Sequence, residues 1–172
     1  MTQQGVPDAA QAMTGWRLWH AIEVQPPLPS EGLPVGHFSV FRLAGMRGIA
    51  EHWPPLVAAS ARCVKHKSPH REAPTEGCRC GFHAFRSLPQ FVASFASSLP
   101  PGVAVGEVSL WGKVIMCERG YKAQFAYPKR LIVIGWPEDE KTQTMAKELS
   151  ASYQVETEIG SRESLFREAG LW

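Results

Sequence analysis

Apolar positions along the chain change period several times, and each change marks a predicted element. From Trp16 to Val24 the alternate residues Trp16, Leu18, His20, Ile22 and Val24 fall on one face, the two-residue period of a strand. Pro26, Pro27, Pro29 and Gly32 then impose an extended loop, because fixed φ values and missing amide donors exclude regular pairing. Val35 to Ala44 reads as a second strand or the start of a longer loop. The Ala-rich run Leu56 to Val64 fits a short helix by propensity and equally a strand closed by Cys63.

The clearest helix is predicted from Leu88 to Leu99. Leu88, Phe91, Val92, Phe95 and Leu99 recur at helical spacing, Ser87 and Gln90 form a capping-box pattern, and Pro100-Pro101-Gly102 ends the run. Next, Val108, Leu110, Val114 and Met116 alternate with polar residues. Across a turn at Arg119-Gly120, Tyr121, Ala123, Phe125 and Tyr127 do the same, predicting a long antiparallel hairpin with one apolar face. Leu131 to Gly135 is apolar on both faces, as a central strand is. A helix over 138–153, with acidic residues in its first turn and a stripe of Met145, Leu149 and Tyr153, leads to a strand over 155–159 and completes a βαβ unit. Ser161 and Ser164 open a terminal helix that ends near Trp172. The fold class is therefore α+β, on a mixed, mostly antiparallel sheet with a C-terminal βαβ unit. Residues 1–13, small and polar, read as a loose tail, and 14–172 as one domain.

Composition narrows the class without naming an activity. Of 172 residues, 44% are hydrophobic and 20% charged, so general disorder is excluded. A formal net charge of +2 is too small to make nucleic acid an obligatory partner, and any such contact would need a local patch. Without a secretory-type start or a membrane-length apolar run, the chain reads as cytoplasmic with no membrane partner. In a reducing compartment, four cysteines point to metal ligands or buried thiols rather than to disulfides.

Three of those cysteines share one segment with three histidines: Cys63, His66, His70, Cys78, Cys80 and His83. Structural zinc takes four nitrogen or sulfur donors in a tetrahedron, and thiolates suit it because they are soft and anionic. Cys78 and Cys80, two apart, leave an extended segment on one face, while His83 leaves on the other. Pro69 disfavours a helix through Ser68 and so breaks any helical pairing of His66 with His70. The expected zinc ligands are Cys63, His70, Cys78 and Cys80, with His66 as the substitute for His70. Arg62, Lys65, Lys67, Arg71 and Arg79 offset the charge of three thiolates. Cys117, alone in a strand, reads as a buried thiol, and Glu107 and Glu118 as solvated acids.

Other features carry weaker readings. The basic run over 62–79, with Phe82 and Phe85 beyond it, is either a solvated loop or a nucleic-acid contact. Lys113, Arg119, Lys122, Lys129 and Arg130 fall mostly on the polar face of the hairpin. Trp111, Trp136 and Trp172 are candidates for an exposed contact patch among six tryptophans. His70-Arg71-Glu72 followed by Cys78-Arg79-Cys80 resembles the His-x-Glu and Pro-Cys-x-x-Cys signature of zinc deaminases. It departs in its short spacing, in Gly77 where that family has proline, and in cysteines one residue too close.

Cys78-x-Cys80-Gly81-Phe82-His83-Ala84-Phe85, Gly106-Glu107-Val108-x-Leu110-Trp111-Gly112-Lys113-Val114 and Gly120-Tyr121-x-Ala123-x-x-Ala126-Tyr127-Pro128 resemble motifs of a group of small, uncharacterised bacterial proteins of actinobacterial type. That resemblance spans about Trp16 to Val133 and implies an intact domain, with no activity attached. The leading expectation is a zinc-binding interaction or adaptor module whose metal orders a basic loop for a protein or nucleic-acid partner. The alternative is an enzyme, zinc-dependent or ADP-ribosyltransferase-like, with a cleft near His83 and Glu107.

Overall fold

A computed structural model of the chain describes residues 12–24, 40–45, 53–63, 70–95 and 99–171. Its elements follow in the order β1 (Met13–Val24), β2 (Val40–Gly45), β3 (Ala59–Ser60), β4 (Phe82–Phe85), α1 (Leu88–Phe95), β5 (Val103–Cys117), β6 (Gly120–Ile134), α2 (Glu140–Tyr153), β7 (Glu156–Gly160) and α3 (Arg162–Glu168). The long hairpin β5–β6 is the frame. Its strands pair antiparallel from Ala104↔Val133 to Cys117↔Gly120, with a two-residue turn at Glu118 and Arg119. β1 runs antiparallel beside β5, and β2 antiparallel beside the far half of β1. β6 carries β4, β3 and β7 along its other edge, and only β7 is parallel, which makes β6–α2–β7 the expected βαβ unit.

β4 also touches β1 at Trp16↔Phe85, so the sheet curls until one short strand bridges two strands that both flank β5. Close approach at this seam requires glycine. A Cβ on Gly120 would run into the carbonyl oxygen of Ala84.

Successive strand residues feed two different cores. Trp19, Leu43, Trp53, Ala104, Val108, Leu110, Leu131 and Val133 pack with Met145, Leu149 and Tyr153 of α2. Their neighbours Trp16, Leu18, Val103, Val105, Ile132 and Ile134 pack with Leu88, Phe91 and Val92 of α1 and Leu165 of α3. This corrects the one-faced reading of the first strand. Trp19, on the face opposite Trp16 and Leu18, is fully buried because helices cover both faces of the sheet, whereas His20, on the face of Trp16 and Leu18, is exposed. Trp19 meets Trp53 edge-on at 5.4 Å, and Trp53 meets Phe82 at 5.0 Å; each such pair adds about 0.5–1.5 kcal/mol beyond area burial.

Local chemistry accounts for the helix ends. Asp139 caps α2, its carboxylate accepting from the Thr142 amide at 2.8 Å and hydroxyl at 2.6 Å. Ser161 and Ser164, expected to open the terminal helix, form a capping box of α3, which ends at Glu168, short of the expected terminus. α1 is described from Leu88 to Phe95, residues 96–98 of the predicted helix lie outside the described residues, and Leu99 packs against the second core.

Of the two readings of the Ala-rich run the structure takes the strand, as the two-residue β3; the Leu56 amide is taken by the Tyr127 hydroxyl at 2.9 Å and Leu56 sits at φ 59°. Three departures follow from pairing that local patterns do not encode. β6 runs unbroken through Pro128, joining what reads as a hairpin arm to the central strand. The proline is tolerated because the register with β5 shifts there, between Val108↔Pro128 and Glu107↔Arg130. A second shift, between Trp111 and Val114, precedes a tip where Val114 is half-buried and Met116 is 65% exposed, so the apolar face ends before Met116. β1 begins at Met13, inside the expected tail; residues 1–11 lie outside the described set, as do residues 35–39 of the second predicted strand. Among the described residues no helix is long and apolar enough to cross a membrane.

Candidate metal centre

The cysteine- and histidine-bearing loop leaves the sheet and returns to it on adjacent residues of β6. Its departure is anchored by the Ala61 amide on the Gln124 carbonyl at 2.8 Å, two residues before Cys63. Its return is fixed where Phe82 pairs with Ala123, two residues after Cys80. Cys63 and Cys78–Cys80 are thereby held at the two necks of one loop, where a shared ligand ties its ends.

Cys63, His70 and Cys78 present their ligand atoms within 4.8 Å of one another, close enough to bind a metal ion. The sulfur atoms of Cys63 and Cys78 are 4.0 Å apart. Two thiolates on a tetrahedral ion with metal–sulfur bonds of about 2.3 Å stand roughly 3.8 Å apart, so the spacing suits a shared metal. All four cysteines of the chain are thiols, not disulfides.

Cys80, the fourth expected ligand, is buried and does not belong to the trio that converges within 4.8 Å, though its thiol is in hydrogen-bond range of Cys78. Desolvation pushes its thiol up from the ordinary value; the backbone of Thr75 opposes with a hydrogen bond, and the Cys78 and Cys63 thiols raise it further. Such a thiol stays neutral unless a cation lies close to it.

His83 is exposed, its Nε2 2.9 Å from the carbonyl oxygen of Arg79, and it does not belong to the trio. Strand alternation is only part of the reason. Gly81 has φ +108° and packs on Pro74, so the extended segment starts at Phe82, after the cysteines. His66, Lys65 and Lys67 fall outside the described residues.

Lys122 is the residue that sequence reasoning misplaced. Alternation puts it on the open polar face of the hairpin, yet it is only 8% exposed. Its ammonium donates to the carbonyls of Cys78 at 2.9 Å and Thr75 at 3.3 Å, beneath the turn closed by the Cys78 amide on Thr75 at 3.2 Å. The loop thus rests on a buried cation, next to where thiolates would gather charge. Only the long-range docking of the loop on β6 creates this arrangement, and no local pattern announces it.

The remaining candidates separate. His70 has no regular structure and is followed by bends, and Cys78 lies in a bend, so neither begins a helix as the zinc-deaminase signature requires, and Glu72 is exposed. Glu107 forms an ion pair with Lys129 at 3.0 Å rather than standing alone. It sits on β5 opposite Trp16, whereas His83 pairs with Lys122 on β6. Cys117 is half-buried, its sulfur 3.9 Å from the Ile115 carbonyl, instead of fully buried. Trp111 leans on Phe125 at 6.0 Å and is half-buried; Trp136 is 62% exposed, and Trp172 is outside the described residues.

Compared with known proteins, the chain matches no family model, no curated protein sequence and no solved structure.

Proposed function

We propose that the chain is a zinc-stabilised interaction module. A structural Zn²⁺ held by Cys63, His70, Cys78 and Cys80 ties the necks of the loop over 61–81 and sets its surface for a macromolecular partner. The convergence of Cys63, His70 and Cys78 within 4.8 Å carries this reading. Zinc suits the donor set because thiolate and imidazole ligands favour it over hard cations, and a closed set of three sulfurs and one nitrogen leaves no position for substrate. The buried thiol of Cys80, already in the field of the other two, completes the four.

A protein is the partner this surface favours. Among the described residues of the loop, exposed Arg62, Arg71 and Arg79 are interspersed with exposed Glu72 and Glu76, a mixed-sign surface, whereas nucleic acid selects a continuous basic stripe.

Protein produced without chelator is expected to hold about one zinc per chain, with X-ray absorption giving sulfur at about 2.3 Å and nitrogen at about 2.0–2.1 Å. Cys78→Ser is expected to release the metal and lower the melting temperature. Metal-free protein would sink the reading, and an oxygen ligand from water in the coordination shell would favour the enzymatic alternative. Capture of a protein partner should weaken when zinc is stripped; salt-sensitive binding of oligonucleotides instead would reverse the choice of partner.

A further inference from the structure

Away from the cysteine loop, three irregularities of the backbone converge on one place. The non-glycine residues with positive φ among those described are Leu56 (59°) and Gln154 (52°), and both line the same cavity of about 590 Å³. Lys129, also in its lining, is the extra residue of β6 where the register with β5 shifts between Val108↔Pro128 and Glu107↔Arg130. Left-handed conformations of side-chain-bearing residues are sparsely populated, and bulges redirect side chains; both gather at binding sites.

One hydroxyl holds the irregular pieces. The Tyr127 oxygen accepts from the Leu56 amide at 2.9 Å and donates to the Tyr153 carbonyl at 2.9 Å, the residue just before Gln154. Tyr127 thereby clamps both unusual conformations against the sheet. On the floor, Thr14, Ser109 and Tyr127 lie side by side on three adjacent strands, because Thr14 pairs with Ser109 and Ser109 with Tyr127.

We infer that this cavity is a binding site for a small carboxylate with an apolar, preferably aromatic, body. Lys129 supplies a cation whose three N–H donors exceed the one used toward Glu107 at 3.0 Å. The hydroxyls of Thr14 and Ser109 and the amide of Gln154 are further polar groups in the lining, while Tyr127, Pro128 and Val155 offer apolar wall. The volume lies within the roughly 300–1,000 Å³ of small-molecule sites. The site shares no ligand residue with the metal loop and stands independently of the zinc reading.

The test is a titration of the purified 172-residue chain with naphthoate, followed by amide and methyl chemical shifts, with naphthylmethanol as the neutral counterpart. Saturable shifts are expected at Thr14, Ser109, Lys129, Gln154 and Val155. Binding should fall about tenfold or more both for the neutral compound and in Lys129→Gln, as loss of one charge-assisted hydrogen bond implies. Ser109→Ala, which leaves the Lys129–Glu107 pair in place, should weaken naphthoate by a smaller factor while the rest of the spectrum is unchanged. Absence of saturation at millimolar ligand, shifts confined to other surfaces, or equal binding of the neutral compound would each overturn the inference.

Discussion

Replacing Lys122 with methionine keeps most of the buried stem and removes the ammonium that supports the cysteine loop. Two hydrogen bonds from a charged donor disappear, to the Cys78 carbonyl at 2.9 Å and the Thr75 carbonyl at 3.3 Å. Hydrogen bonds to charged groups contribute about 1.5–3 kcal/mol each, and the longer one belongs at or below the lower end of that range. Methionine also spares the cost of burying a cation, which offsets part of the loss. The net destabilisation is about 2–3 kcal/mol, or roughly 5–10 °C in melting temperature for a domain of this size. Thermal melts of zinc-loaded and zinc-stripped protein measure it, with exposed Lys113→Met as the control. Zinc affinity, read by competition with a chromophoric chelator, should fall as well, because the Cys78 backbone loses its anchor. A Lys122→Met protein that melts with the parent and holds zinc equally well would refute the claim that this buried cation positions the loop.

Two more outcomes follow from buried and capping groups. Tyr153→Phe leaves the Leu43 amide (3.0 Å) and the Trp53 carbonyl (2.7 Å) without their shared hydroxyl in the first core, so urea unfolding should show a loss of about 2–3 kcal/mol with an unchanged m-value. Asp139 is held below the usual carboxylate range by the hydroxyl and then the amide of Thr142. Its folded pKa lies below its unfolded one, so its stabilisation is present above about pH 4 and is lost as pH falls through the folded value. Melting curves of Asp139→Asn across the acid range should therefore differ from the parent most at neutral pH and converge with it at low pH; a constant offset at all pH values would contradict the assignment.

Features decided over a few residues were readable from the chain. The period of Met145, Leu149 and Tyr153 places α2, the Ser161–Ser164 pair caps α3, and Leu131 to Ile134 shows itself as a central strand because both of its faces are apolar. The cysteine-histidine spacing points to Cys63, His70, Cys78 and Cys80 among six candidates, and the structure brings Cys63, His70 and Cys78 within 4.8 Å of one another. Where the reading failed, the cause was distant in sequence. β6 passes through Pro128 only because β5 shifts register against it.

Lys122 and Lys129 draw the line most clearly. As letters both read as cations of the hairpin, seven residues apart and so on opposite faces by strict alternation. Folding buries the first under the loop returning at β4 and turns the second, through a bulge, into a cavity lined by residues from both ends of the chain. Periodicity and spacing act between near neighbours and can be read one segment at a time. Burial of a charge and the meeting of Thr14, Leu56, Lys129 and Gln154 depend on which strands come to lie together, and that is settled by the packing of the whole domain.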